Sequence, residues 1–251
     1  MLAFPKKKYV KVAISFVILM GIIIWSPWQS TPDFEEYAAG IERKTAFFNY
    51  FLPLIVDKNI QIVATRKTLL LWRHNRNNIG WWDSRKLADL ATLYRVKNFN
   101  LENDDSWNSL LINVDVLPPS LVLAQAANES AWGTSRFAKL GNNYFGQWCF
   151  EHGCGLVPKK RDYGKAHEVA AFSSPKGSLE SYMQNLNSHP AYQKLRNIRS
   201  QLRTEKQAIT GYALAAGLMN YSERREEYIE ELRKMIRFNK LSKHDKSINN
   251  K

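Results

Sequence analysis

The amino-acid sequence predicts a mostly α-helical protein with a small β-like or irregular lobe, preceded by a membrane helix at the N-terminus. Apolar residues recur at helical spacing over most of the 251-residue chain. Residues 141–164 are instead rich in glycine and polar residues, which favour loops. A basic cluster followed by an apolar run occupies residues 1–30. We therefore expect a helical body with one irregular insertion and a distinct N-terminal segment.

The N-terminal segment, residues 1–30, predicts export of the chain. An uncharged run covers residues 12–25 and follows four lysines, Lys6, Lys7, Lys8 and Lys11. Trp25 and Trp28 lie where interfacial aromatic residues anchor a membrane helix, so we expect a retained single-pass anchor. A cleaved signal peptide is the alternative, although the residues that follow the run, SPWQ, do not form a small-x-small cleavage site.

Residues 31–108 predict a helical pre-domain. Asp33 can cap a first helix, and five apolar residues near helical spacing predict its buried face: Phe47, Phe48, Phe51, Leu52 and Ile55. Shorter patterns over 69–72 and 87–94 predict two further helices. The polar, acidic stretch over 99–108 has no periodicity, so we expect it to separate this region from a main domain over 109–240. Residues 241–251 are polar and predict a disordered tail.

One helix of the main domain is predicted to be central and buried. Pro118 and Pro119 suit a first helical turn, and the following LVLAQAANESA is apolar on nearly all sides. Gly133 can end this helix. The stretch EVAAF over 168–172 predicts a strand, and further helices are predicted from Ser174, from Pro190, over 209–218 and after Tyr221.

The charge of the chain favours an anionic partner. The formal net charge is +13 and the sequence pI is about 9.7. Nucleic acid, anionic lipid or an acidic polymer such as the bacterial cell wall would each suit this charge. The chain has no RNP-like or zinc-finger spacing, and its basic residues are scattered, so we expect no nucleic-acid partner.

The two cysteines, Cys149 and Cys154, are separated by four residues. In an exported chain such a close pair favours a disulfide. Metal binding with His152 and a pair of free thiols are the alternatives, although the spacing is a poor zinc signature. We expect no metal and no organic cofactor, since the sequence lacks HExxH, a Gly-rich phosphate loop and a nucleophile elbow.

Glu129 has the chemistry of a general acid. It lies near the end of the apolar central helix, where burial and the negative helix pole both disfavour the charged carboxylate. Both effects raise the pKa, and a carboxyl that stays protonated near neutral pH can protonate a glycosidic oxygen. Gln125 lies one turn earlier on the same face, where it can hydrogen-bond Glu129, and we expect it to take part in substrate binding. A solvated glutamate at a helix end is the alternative interpretation.

Four motifs in sequence order carry a family resemblance: AQAANESAWGTSRFA, GNNYFGQW, YMQNLNSHPAYQKLR and NYSERREEYIEELRKMI. Over residues 117–238 they resemble the glucosaminidase family of peptidoglycan hydrolases, which has a lysozyme-like fold. The NNYFGQW form, the HEV stretch and the lysine-led N-terminus most resemble the Bax group of Gram-negative bacteria. The resemblance implies an enzyme anchored in the inner membrane and facing the periplasm, with peptidoglycan as its substrate. It would cleave glycan strands at N-acetylglucosaminyl linkages.

The resemblance also implies roles for individual residues. Glu129 matches the catalytic acid, and Tyr221 matches a tyrosine that lines the cleft near the reaction centre and can steady the transition state. The turn from Asn143 to Gly146 matches the cleft floor. Asn143 is expected to bind an acetamido group or hydroxyl, and Phe145 is expected in the core. Three further residues are expected to line the cleft: Tyr144, Gln147 and Trp148.

The second carboxylate departs from the family pattern, because the stretch LVPKKRDYGKAHEVAAF aligns poorly. Glu168 is our prediction for it, with Asp162 and Glu151 as alternatives. A second carboxylate that holds a water about 6.5–9.5 Å from the acid would give inversion. Its absence would indicate that the N-acetyl group of the substrate assists, with Tyr221 in support. Two other functions stay open: a lytic transglycosylase on the same fold, and an inactive wall-binding or scaffold protein.

Overall fold

The computed structural model describes residues 31–159, 164 and 166–246. The predicted membrane segment over 1–30 and the alternative second carboxylate Asp162 lie outside these residues. Within the described part of the chain, no helix combines the length and the apolar composition needed to cross a membrane.

The described residues are mostly helical, with a small sheet between the fifth and sixth α-helices, which confirms the predicted helical body with its small β-like lobe. The α-helices are α1 (Ile41–His74), α2 (Trp81–Leu93), α3 (Asp104–Asn113), α4 (Pro119–Glu129), α5 (Arg136–Gly141), α6 (Pro175–Ser188), α7 (Gln193–Thr204), α8 (Gly211–Leu214) and α9 (Glu226–Phe238). Short 3-10 helices cover Arg76–Asn78, Pro190–Tyr192, Ala215–Gly217 and Leu241–Asp245.

Helix α4 is the central element, as its sequence predicts. All residues from Pro119 to Ala127 are buried, because α1, α8, α9 and the 3-10 helix Leu241–Asp245 pack around it. Pro119 occupies its first turn, where the missing N–H has no intrahelical acceptor in any case. The central position of α4 places its last residue, Glu129, between the elements that surround it.

The small lobe is a three-stranded antiparallel sheet of order β1-β3-β2. Its strands are β1 (Trp148–Cys149), β2 (Gly155–Leu156) and β3 (Glu168–Ala170). A Cβ on Gly155 would lie 2.0 Å from the Val169 carbonyl oxygen, so the close approach of β2 to β3 requires glycine. A disulfide joins Cys149 to Cys154, as predicted, and leaves neither sulfur as a thiolate ligand for a metal.

The predicted helical pre-domain does not form a separate unit. From Asp33 onward, the described residues form one compact body. Phe34, Phe47 and Phe51 share the hydrophobic core with residues of the main domain. The Asn59 amide also donates to the Leu117 carbonyl oxygen at 2.8 Å. The predicted boundary at 108/109 is wrong because the apolar face of α1 is buried against α4.

Two predicted boundaries need correction. The patterns near Phe47 and over 69–72 belong to one helix, α1, which begins at Ile41 rather than at Asp33. The predicted disorder is wrong for residues 241–246, where Leu241 and Asp245 are buried. The Asp245 carboxylate accepts hydrogen bonds from the Ser120 and Gly211 N–H groups at 2.9 and 3.1 Å. This carboxylate therefore ties the 3-10 helix Leu241–Asp245 to the N-terminus of α4.

Candidate active site

A groove of about 1520 Å³ lies over the C-terminal end of α4. Its walls come from α4, α6, α9, the turn before β1 and the end of α2. Polar and aromatic residues predominate in the lining: Leu93, Arg95, Asn128, Glu129, Gly146, Gln147, Trp148, Phe150, Ser181, Tyr182, Gln184, Asn185, Ser188, His189, Tyr192, Met219, Asn220, Tyr221, Ser222, Glu223, Arg224, Arg225, Tyr228 and Glu231. Such a surface suits a polar ligand with flat faces.

Glu129 lies in this groove, half-buried at the last position of α4. Burial raises the pKa of its carboxyl above that of an exposed glutamate, while hydrogen bonds from Tyr228 and Asn128 oppose the shift. The Tyr228 hydroxyl donates to Glu129 Oε1 at 2.7 Å. The carboxyl therefore keeps its proton to a higher pH than an exposed glutamate does, as the sequence predicts for this residue.

Gln125 supports Glu129 through a tyrosine rather than directly. The Tyr182 hydroxyl donates to Gln125 Oε1, and Gln125 Nε2 donates to the Tyr228 hydroxyl oxygen at 3.0 Å. Tyr228 in turn donates to Glu129. Gln125 is fully buried, so its predicted role in substrate binding is wrong: both ends of its amide are occupied by tyrosines. The chain of hydrogen bonds fixes the orientation of the Tyr228 hydroxyl.

The turn before β1 brings a glycine against the acid. Gly146 has φ +62°, and a Cβ at this position would lie 3.1 Å from Glu129 Oε2. Asn143 holds the turn, because its side chain donates to the Gln147 and Ala170 carbonyl oxygens and accepts from the Phe145 and Gln147 N–H groups. Asn143 is buried and fully engaged, so its predicted role in binding sugar is wrong.

The aromatic residues of this turn divide between core and groove. Tyr144 is buried, with its ring 4.8 Å from that of Phe51, so the prediction that it lines the cleft is wrong. Phe145 is buried as predicted and stacks on Tyr182 at 4.1 Å. Trp148 lines the groove, 58% exposed, and stacks on His167 at 4.3 Å.

Gln147 lines the groove, as predicted, and α6 holds its side chain. Gln147 Nε2 donates to the Ser178 carbonyl oxygen at 3.0 Å, and the Ser181 hydroxyl donates to Gln147 Oε1 at 2.9 Å. The amide is thereby fixed in one orientation. Its surface in the groove can contact a ligand without first being ordered, which reduces the entropic cost of binding.

Tyr221 also lines the groove, but its hydroxyl proton is engaged. The hydroxyl donates to the Phe145 carbonyl oxygen at 2.6 Å, and the ring stacks on that of Tyr228 at 5.5 Å with an interplanar angle of 5°. Burial raises the pKa of Tyr221 well above its usual value, so it stays neutral. Tyr221 thus links the turn before β1 to the tyrosine that contacts Glu129.

Glu168 does not lie in the groove, so its prediction as the second carboxylate of the cleft is wrong. It is buried within the small lobe, where its Oε1 accepts from the Gly153 N–H at 3.1 Å and its Oε2 from the Gly155 N–H at 2.8 Å. The strand pairs Glu168 with Cys149 and directs the carboxylate towards the disulfide loop. The alternative Glu151 is exposed and does not line the groove either.

Three groove residues on or next to α9 were not predicted: Tyr228, Glu231 and Arg224. Tyr228 is buried on the core-facing side of α9, and its hydroxyl extends from that side to Glu129. Glu231 lies three residues further along, which puts it on the same face. Arg224 pairs with Glu231 at 2.5 Å and lies 5.9 Å from the Tyr228 ring centroid. The quoted motif contains all three, but nothing in it indicates which face meets the groove.

Comparison with known proteins identifies the family. The glucosaminidase family model, described as mannosyl-glycoprotein endo-beta-N-acetylglucosaminidase, matches residues 104–241. The chain is 38% identical over 202 residues to Protein bax of Escherichia coli (strain K12), which covers 79% of this chain and 70% of that protein. A solved structure, the catalytic domain of autolysin Auto from Listeria monocytogenes, is 19% identical with a TM-score of 0.44, over 97% of this chain and 99% of that one. Both resemblances seen in the sequence are confirmed, and the chain belongs to the glucosaminidase family of glycoside hydrolases.

Proposed function

We propose that the protein hydrolyses the glycan strands of peptidoglycan at N-acetylglucosaminyl linkages, with Glu129 as the general acid. The observation that carries this proposal is the Glu129 carboxyl in the groove, with a pKa raised by burial. Membership of a glycoside hydrolase family supports the bond type. The net charge of +13 supports an anionic polymer as the substrate.

The two oxygens of Glu129 have different roles in this proposal. Oε1 accepts a hydrogen bond from the Tyr228 hydroxyl, so the acidic proton resides on Oε2, the oxygen next to Gly146. A glycosidic oxygen that enters above this glycine receives the proton as the bond to the sugar breaks. The absence of a side chain at Gly146 leaves room for that approach. Tyr221 supports the reaction by fixing the position of Tyr228 relative to the turn before β1.

Glu231 takes the place of Glu168 as our candidate for the second carboxylate. It lines the groove on the same helix as Tyr228, and its negative charge acts on Glu129 and contributes to the raised pKa of that group. Arg224 orients the Glu231 carboxylate. In an inverting hydrolase this group accepts a proton from the attacking water. Measuring the anomeric configuration of the first product by NMR tests this role: retention would contradict it.

A lytic transglycosylase is the second candidate, and one observation favours it. Glu223 is exposed, and the Glu231 side chain is 40% exposed and paired with Arg224, whereas burial raises the pKa of Glu129; the groove chemistry can therefore rest on Glu129 alone. A transglycosylase needs one acid and forms an anhydro-muramyl end instead of a reducing end. Product analysis therefore separates the two reactions.

We also propose that the protein is attached to the inner membrane through residues 1–30 and faces the periplasm. The Cys149–Cys154 disulfide supports an oxidising compartment. Fractionation of cells that express the full chain or a form starting at Asp33 tests the attachment: the full chain should sediment with membranes and the shortened form should not. Protease digestion of spheroplasts should degrade the full chain, whereas a protected protein would contradict the periplasmic location.

The test of the reaction uses the form starting at Asp33, since the described residues from there onward form one compact body. This form and its Glu129→Gln variant are incubated with purified sacculi, and the released fragments are identified by mass spectrometry. Reducing N-acetylglucosamine ends that vanish with the variant support the hydrolase. Anhydro-muramyl ends support the transglycosylase. No release, with the protein still retained on sacculi, contradicts an enzyme and supports a wall-binding protein.

A further inference from the structure

Two residues that line the groove lie outside the family match. Leu93 and Arg95 line the groove, whereas the family match begins at residue 104. They lie at the end of α2 and in the turn after it. The segment predicted to be a separate pre-domain therefore contributes directly to the surface that meets the substrate.

The turn that carries Arg95 is firmly held. Tyr94 is buried, and its carbonyl oxygen accepts from Asn113 Nδ2 at 2.9 Å. The Leu93 carbonyl oxygen accepts from Gln184 Nε2 at 2.8 Å, a contact between the turn and α6. Arg95 itself has φ +56°, with its N–H bonded to the Thr92 carbonyl oxygen at 3.0 Å. The backbone of Arg95 is therefore presented to the groove in a defined place.

The positive charge of Arg95 and Arg196 is not balanced by an ion pair among the described residues. Within the described part of the chain, no carboxylate forms an ion pair with Arg95 or with its neighbour Arg196. After burial, the positive charge of Arg95 is a further cause that lowers the pKa of both Arg196 and His189. By contrast, Arg224 near Glu129 is paired with Glu231. A bound anion would stabilise the unpaired positive charge around Arg95.

Arg95 is the residue that can make such a contact. The guanidinium of Arg196 already donates to the Leu186 and His189 carbonyl oxygens and to the Gln193 amide oxygen. Arg95 is exposed in the groove wall. A guanidinium binds a carboxylate through two parallel hydrogen bonds, a geometry that an ammonium group cannot reproduce.

We propose that Arg95 binds a carboxylate carried by the substituents of the glycan strand, and that it thereby favours anionic wall polymer over neutral N-acetylglucosamine oligomers. This inference rests on the proposed function. Two sources supply the same chemistry: the carboxylates of the peptide stems, and the lactyl carboxylate of strands from which the peptides have been removed. Arg95 is not among the charges that shift the pKa of Glu129, so the contact acts on substrate affinity rather than on the bond-breaking step.

The test compares Arg95→Ala and Arg95→Lys with Arg85→Ala, which removes another α2 arginine that lies outside the groove lining. Each change is made in the full chain, and kinetics are measured on peptide-bearing strands, on peptide-free strands and on chito-oligosaccharides. We expect Arg95→Ala to raise KM for the anionic strand that it recognises by about three- to tenfold, with kcat unchanged. The effect should shrink in high salt, and Arg95→Lys should fall in between.

The three substrates separate the possible outcomes. A rise in KM on both anionic strands identifies the glycan's carboxylates in general, and a rise on peptide-bearing strands alone identifies the peptide stem. An equal rise on chito-oligosaccharides would overturn the proposal, since it would show that Arg95 only shapes the groove. No rise on any substrate, or a rise matched by Arg85→Ala, would overturn it as well.

A binding measurement keeps this test independent of turnover. The Glu129→Gln variant, with and without Arg95→Ala, is titrated with the same three glycans, and the Kd values are compared. Weaker binding of the anionic glycans alone supports Arg95 even if no wild-type turnover is detected. Unchanged Kd values alongside normal wild-type turnover would overturn the role of Arg95 and leave the proposed reaction intact.

Discussion

Two glutamates of this chain, Glu129 and Glu168, lie in opposite surroundings. Glu129, at the end of α4, accepts one hydroxyl hydrogen bond and lines the groove. Glu168, in β3, accepts two backbone N–H groups and is buried beside the disulfide. In Glu129, Oε1 accepts from Tyr228, and Oε2 lies next to Gly146, which has no side chain. A reactive carboxyl thus differs from a structural one in keeping an oxygen available to a ligand.

The two sites also differ in what holds them. Glu129 depends on contacts between distant segments, since Tyr228 lies 99 residues further along the chain. Glu168 depends on a local loop that a covalent bond closes. We therefore expect changes at the two sites to separate activity from stability.

The largest effect is expected for Glu129→Gln. It removes the acidic proton, so kcat on sacculi should fall by about 10²–10⁴-fold, the range typical of a general acid. The release of soluble muropeptides measures this loss. The exposed Glu151→Gln is the matched control and should leave the rate unchanged. Activity within threefold of wild type for Glu129→Gln would remove this residue from the mechanism.

The same variant makes a prediction about stability. The pKa of Glu129 is raised in the folded state, so folded protein binds its proton more tightly than unfolded protein does. Ionisation therefore destabilises the fold as pH rises from the unfolded pKa through the folded one. Glutamine removes this penalty, and the Tm of Glu129→Gln at pH 7 should equal or exceed that of wild type. A lower Tm would mean that the lost activity reflects unfolding.

Glu168→Ala should show the opposite pattern. The Gly153 and Gly155 N–H groups lose these acceptors, and a buried donor without a partner costs about 1–3 kcal/mol. We expect the free energy of unfolding in urea to fall by about that amount, while activity per folded molecule stays within threefold of wild type. A 100-fold loss of activity with unchanged stability would return Glu168 to the catalytic site.

The sequence predicts most of the fold because the periodicity of apolar residues is strong in the long helices. Helix α4 is apolar on nearly all sides, which fits only a central position, and its C-terminal Glu129 follows directly from that. The three-residue strand β3 is too short for alternation to fix which face Glu168 occupies, since a shift by one residue reverses the faces. The sequence therefore does not determine which side of β3 faces the groove.

The aromatic residues of the turn show a second limit. Tyr144 could point either way from NNYFG, and it is buried because α1 supplies Phe47 and Phe51 to receive it. That pocket is formed by residues roughly a hundred positions away, which no local pattern encodes. Tyr228 shows the same limit: its position on the apolar face of α9 predicts burial, and only the fold places its hydroxyl against Glu129.

Tyr228→Phe should have a smaller effect than Glu129→Gln. The hydrogen bond from Tyr228 favours the ionised carboxylate, so its removal should raise the pKa of Glu129 further. The alkaline limb of the pH profile of kcat should therefore move to higher pH. We expect kcat at its optimum to fall by about tenfold, because the carboxyl loses one positioning contact. A pH profile that keeps its position would show that this hydrogen bond does not tune the acid.

The smallest effects are expected from two aromatic residues, one in the turn before β1 and one at the start of β1. Trp148 presents an exposed ring in the groove and Tyr144 is buried away from it. Trp148→Ala should raise KM on glycan strands by about two- to tenfold, the value of one aromatic contact. Tyr144→Phe keeps the buried ring and should leave KM unchanged. If Tyr144→Phe raised KM as much as Trp148→Ala, the turn would expose both rings to substrate, and burial would no longer distinguish structural from binding residues here.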